Sequence, residues 1–86
     1  MKKPKVGQWI YLYYSDGSGD AIINVGREPK PVNERTFGNY SKNYYLYGRW
    51  MNVISKVWYK EGGPLFAYDK AIIFDSYEDL LMVMNI

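Results

Sequence analysis

The stretch Gln8 to Ser15, QWIYLYYS, followed by DGSGD and AIINV, constrains this chain more than any other. Ile10, Leu12 and Tyr14 alternate with Trp9, Tyr11 and Tyr13, and aromatic and β-branched residues suit a pleated, extended backbone. The Gly- and Asp-rich segment that follows favours chain reversal, so residues 8–26 predict a β-hairpin with a five-residue loop. Both faces of the first strand are apolar. That pattern requires a central strand covered on both sides, or an aliphatic core face with an aromatic face left for a partner.

The remaining length limits what can surround this hairpin. With 86 residues the chain supports one core, so residues 1–86 are expected to form a single domain. At 48% hydrophobic and 23% charged it lies in the globular range. There is no cysteine and no histidine, which excludes disulfides, thiolate metal sites, Cys–His and Ser–His catalytic pairs and His-ligated zinc. Catalysis would have to rest on carboxylates, Lys, Tyr or Ser, and the expectation is a non-enzymatic protein without cofactors or a small-molecule substrate. The start, MKKPKVGQWIYLYY, imitates a secretory n-region, but its apolar run is short and aromatic and no small-residue cleavage site follows. Leu80 to Met84 is the longest apolar run elsewhere, too short to span a bilayer, so the expected location is the cytoplasm, with no membrane partner.

Beyond the hairpin the pattern is mixed. Residues 27–43 contain Pro29, Pro31 and Gly38 and keep no sustained period, so they hold either a short edge strand near ERTF or a loop with a function. Residues 44–63 carry two readings. Apolar doublets Trp50/Met51, Val53/Ile54 and Val57/Trp58 separated by Arg49, Asn52, Ser55/Lys56 and Lys60 fit a 3.6 period, predicting a helix over 46–58 ended by Gly62. The alternative is a strand with Val53, Val57 and Tyr59 on one face and EGGP as the next turn; periodicity inclines the reading to the helix. LFAYDKAIIF predicts a strand, most clearly at Ala71–Phe74, and Ser76 is placed to cap a helix with Glu78 and Asp79 in its first turn. Tyr77, Leu80, Leu81 and Met84 share one stripe of that helix. The fold class is therefore α+β: an N-terminal β-hairpin, an antiparallel sheet and a C-terminal helix, with a central helix as an open alternative.

AYDKAIIFDSYEDLL, residues 67–81, resembles the ending of many small phage-encoded proteins, in which a strand closing on Phe runs into a helix opening Ser-x-Glu-Asp/Glu. The resemblance covers about fifteen residues, and Leu80 stands where a small alanine is common in that pattern. It implies an accessory protein that binds and redirects or inhibits host machinery, of the anti-CRISPR or wider anti-defence kind, in a bacterial cytoplasm. No site residue is implied by it.

Three constellations invite a chemical reading. Asp16, Ser18 and Asp20 have the spacing that opens a calcium loop, but Ala21 replaces the turn glycine and Arg27 the bidentate glutamate, leaving a polar hairpin loop. Asp69, Asp75, Glu78 and Asp79 sit where helix caps and first turns normally carry acid. In the third, Tyr40, Tyr44, Tyr45, Tyr47, Trp50, Trp58 and Tyr59 are interleaved with Lys42, Arg49, Lys56 and Lys60. Rings and cations in that order suit stacking on single-stranded nucleic acid. Tyr and Arg are equally the residues of protein interface hot spots.

Core demand divides this segment. With only three Phe, the core must draw on Leu46, Trp50, Val53, Ile54 and Val57, whereas ten Tyr exceed what a core this small can hold. Tyr44, Tyr45, Tyr47, Arg49, Lys56 and Lys60 are the expected partner-binding residues. Residues 1–60 carry ten Lys or Arg against four Asp or Glu, while residues 61–86 carry one against five, so the chain is dipolar despite a net charge of +2. The expected function is docking on a host protein or a protein–nucleic-acid complex. The alternative is a small single-stranded nucleic-acid-binding protein using residues 40–60.

Overall fold

A computed structural model describes residues 3–31, 44–60 and 68–84. In chain order the elements are β1 (Trp9–Tyr13), β2 (Asp20–Val25), β3 (Lys30–Pro31), β4 (Tyr44–Tyr45), β5 (Gly48–Asn52), β6 (Trp58–Tyr59), β7 (Lys70–Phe74) and α1 (Tyr77–Met84). Five strands form one antiparallel sheet in the order β6-β5-β2-β1-β7, and β3 and β4 form a second, two-stranded sheet. The α+β class and the 8–26 hairpin read from the sequence are what the chain adopts. No helix among the described residues is long and apolar enough to cross a membrane.

Register explains why both faces of β1 are apolar. Ile10 lies between Ile23 and Ile73, and Leu12 between Ala21 and Ala71, so these side chains share one face. Ile10, Leu12, Ala21, Ile23 and Val25 are fully buried there beneath Leu46 and Tyr68. Burying an Ile or Leu of this kind contributes about 1.5–3 kcal/mol. On the opposite face Ile22, Met51 and Phe74 pack with Leu80 of α1, flanked by Trp9, Tyr11, Trp58 and Tyr77. Both faces of β1 are thus covered, the aliphatic one fully and the aromatic one by half.

Helix α1 forms as its sequence predicts. Ser76 Oγ accepts from the Asp79 backbone N–H at 3.1 Å, and Glu78 and Asp79 occupy the first turn, where the helix dipole favours negative charge. Leu80 is buried and Tyr77, Leu81 and Met84 line the packed side, while Met82 and Val83 face solvent.

Residues 46–58 correct the helical reading: they form β5, a turn and β6. The apolar doublets that imitate a helical stripe are also what a strand buried on both faces produces. Trp50 pairs with Ile23 on one face and Met51 with Ile22 on the other, so neighbouring residues are both packed. The turn falls at residues 53–57, ahead of the EGGP of the alternative reading, whose residues 61–64 lie outside the described residues. Ile54 and Val57, expected in the core, are exposed; Leu46 is buried and Trp50 and Val53 are half-buried. Within 27–43, β3 pairs with β4, and the edge strand expected near ERTF lies outside the described residues.

Candidate functional site

The aromatic-basic segment is held by the pairing of β5 with β2, and closely so where β2 ends. Gly26 donates its N–H to the Tyr47 carbonyl at 2.8 Å, and Gly48 sits opposite Val25. Gly48 has φ 153°, and a Cβ there would overlap the Asn24 carbonyl oxygen, so only glycine lets β5 approach β2 this closely. Leu46 is buried between Tyr45 and Tyr47, which anchors the tyrosines at its sides.

From this anchor β5 projects its side chains alternately. Arg49 is exposed, with its guanidinium 4.4 Å from the Trp58 ring centroid; Trp50 stacks on Tyr59 at 4.3 Å on the other face. Trp58 meets Trp9 edge to face at 6.2 Å, and Trp9 contacts Tyr77 at 4.5 Å, which ties the β5–β6 hairpin to the helix side of the sheet. Tyr47 receives the Arg27 guanidinium at 5.1 Å and lies 6.4 Å from Tyr45. Cation–π contacts of this kind are worth about 0.5–1 kcal/mol at exposed positions.

The hairpin's turn is closed chiefly by Asn52, with Ser55 Oγ accepting from Val57 N–H. Asn52 Oδ1 accepts from the backbone N–H groups of Ile54 at 3.0 Å and Ser55 at 3.2 Å, and the Asn52 carbonyl accepts from Lys56 N–H at 2.9 Å. An Asx turn is thereby satisfied without help from elsewhere. Its geometry obliges Lys56 to adopt φ 58°, the one positive φ at a non-glycine residue among those described. Ile54, at 75% exposure, is the most exposed apolar side chain of the hairpin, ahead of Val57 at 48% and Tyr59 at 44%.

Of the residues singled out from the sequence, Tyr44 and Tyr45 are half-buried against the core, Tyr47 is half-buried beside them, and Arg49, Lys56 and Lys60 are exposed. Tyr40 and Lys42 lie outside the described residues. The ion pair among the described residues joins Lys3 to Glu28, and no described carboxylate pairs with Arg49, Lys56 or Lys60. Sequence reasoning missed Ile54 and Val57 as part of this surface. The signal that marks them is Asn52, a turn former two residues before Ile54.

The acidic residues are taken up by structure. Asp16 Oδ1 accepts from Ser18 N–H, and Asp69 Oδ1 from Ser15 N–H; the side-chain hydroxyl of each serine first, and then these backbone N–H groups, hold both carboxyls below their usual range. Asp75 Oδ1 accepts from Gln8 Nε2, and Asp20 Oδ2 accepts from the Tyr11 hydroxyl at 2.7 Å. Burial first, and then the Asp20 hydrogen bond and charge, push the Tyr11 phenol up to about 12. Asp16, Ser18 and Asp20 thus build a polar loop, and no group of three or more potential metal ligands occurs among the described residues. Comparison with known proteins finds no matching family model, no matching curated protein and no matching solved structure.

Proposed function

We propose that the protein is a non-enzymatic binding protein that acts by occupying a surface of another protein, with the β5–β6 hairpin and the tyrosines at its base as the contact. The observation that carries this reading is the aliphatic tip. Ile54 and Val57 are exposed in the hairpin's turn with Lys56 between them, and Arg49 and Lys60 are exposed at its base. An aliphatic side chain gains by entering a protein pocket, and offers little to a base or a phosphate. The rings that would stack on bases are partly engaged already: Trp58 faces Arg49, Trp50 faces Tyr59, and Tyr47 faces Arg27. The resemblance of residues 67–81 to phage accessory proteins adds that the partner belongs to a bacterial host, where occupation of its surface would inhibit or redirect it.

The test is retention of partners by the tagged protein from bacterial lysate, with and without nuclease, alongside titration with fluorescent oligodeoxythymidine and oligouridine. The reading expects one protein retained in near-equal amount after nuclease treatment, and negligible oligonucleotide affinity at physiological salt. Loss of every partner with the nuclease, or oligonucleotide binding that weakens linearly in log–log with salt, would overturn it.

A further inference from the structure

Three features of the Asn52–Val57 turn depart from what stability alone favours. Lys56 occupies a backbone conformation that glycine or asparagine adopts at lower cost. Ile54 and Val57 hold exposed apolar side chains in water within the turn. Ile54 contributes no side chain to either core cluster. Meanwhile the turn is not loose: Asn52 fixes it with two side-chain hydrogen bonds and one backbone hydrogen bond. Departures from local rules within a well-closed turn are the pattern of a site kept for recognition.

Resting on the docking reading above, we infer that this turn is the insertion element: Ile54, supported by Val57, enters an apolar pocket of the partner protein whose rim carries carboxylates that meet Lys56, with further acid along the hairpin to meet Lys60 at its base. Charge complementarity selects the rim. Lys56 lies in the turn itself and Arg49 and Lys60 lie at the base of the same hairpin, none with a carboxylate partner among the described residues, and the sequence places no acid between Glu34 and Glu61. Size selects the pocket, since a branched aliphatic side chain on a pre-formed turn fills a small hydrophobic recess with little conformational entropy lost on binding.

The experiment places a photoreactive aliphatic residue of leucine size bearing a diazirine at Ile54, at Tyr47, or at Met82 on the exposed side of α1, each in the full chain. Each variant is irradiated in nuclease-treated bacterial lysate, and the cross-linked peptides are mapped by mass spectrometry. The expected result is one protein cross-linked from position 54, at apolar residues flanked by Asp or Glu, with no product from position 82. Lys56→Glu together with Lys60→Glu should cut that yield about tenfold, the consequence of losing roughly 1.4 kcal/mol. Cross-linking from position 47 but not 54 would overturn the insertion and leave the docking surface standing. No protein product from either position would overturn both. Products mapped to basic segments, or to lipid, would contradict the acidic-rimmed pocket.

Discussion

The two tight reversals of this sheet meet the same demand in different ways. Between β1 and β2, the loop satisfies its backbone with Asp16, which accepts from Ser18 N–H, gives the positive φ of 80° to Gly17, and is tied to the far strand by Asp69 and Ser15. Every exposed side chain in it is polar or glycine. Between β5 and β6, Asn52 supplies the equivalent Asx bonds, but the positive φ falls on Lys56 and the tip is Ile54. One reversal follows the chemistry of turns throughout, and the other follows it only where closure requires. The difference separates what the chain needs in order to fold from what it carries for another purpose.

The comparison can be broken or sharpened by substitution, beginning with the position that supports both hairpins. Gly48→Ala drives a Cβ into the Asn24 carbonyl where β5 meets β2, and the expected loss is about 3 kcal/mol or more in chemical denaturation. Retention of wild-type stability would mean that β5 does not lie against β2 as described. Gly17→Ala should cost about 1 kcal/mol, because open space surrounds the site and only the backbone conformation is strained.

Tyr11 tests how the first hairpin is tied together. The unfolded chain releases the tyrosine proton near pH 10.0, whereas the folded chain holds it to about 12. Its stabilising contribution is therefore complete below pH 10 and is lost as pH rises through that window. Tyr14 and Tyr68 are also pushed upward, chiefly by burial, and add in the same direction, so the measured quantity is the difference between wild type and Tyr11→Phe. The variant should unfold less steeply with pH above 10, and at neutral pH it should lose about 1 kcal/mol with the Asp20 hydrogen bond. Identical pH profiles for the two proteins would contradict the placement of Tyr11. Smallest of all is Ile54→Ser, expected to stay within about 0.5 kcal/mol of wild type in thermal unfolding, since the side chain is 75% exposed.

Much of the fold is legible in the residues because its determinants are local. Alternation at Trp9–Tyr13 and the Gly-Asp turn specify the first hairpin, and Ser76 with Glu78 and Asp79 marks the start of α1. Residues 46–58 are opaque for a physical reason. Met51 and Trp50 are both packed, so period two disappears, and the partners that make them a strand, Ile22 and Ile23, lie far away in sequence. β6, two residues long, leaves no pattern to detect.

The site divides along the same line. The count of tyrosines exceeds core capacity, which places Tyr44, Tyr45 and Tyr47 at a half-buried boundary, and charge leaves Arg49, Lys56 and Lys60 outside. The local signal that separates Ile54 from a core isoleucine is the turn former Asn52 two residues earlier, and it does not act alone. The exposure of Ile54 follows from Asn52 ending β5, and that depends on the register of β5 against β2.

Lys56→Gly tests the central claim most directly, because it sets folding and recognition against each other at one residue. Thermal unfolding is read beside the yield of the photo-cross-link from position 54. Glycine relieves the positive φ, so the unfolding midpoint should rise by a few degrees, on the order of 2–4 °C. The cross-link yield should fall as the cation is lost. A variant that is less stable than wild type and keeps its full cross-link yield would contradict the account, for Lys56 would then serve the fold and not the partner.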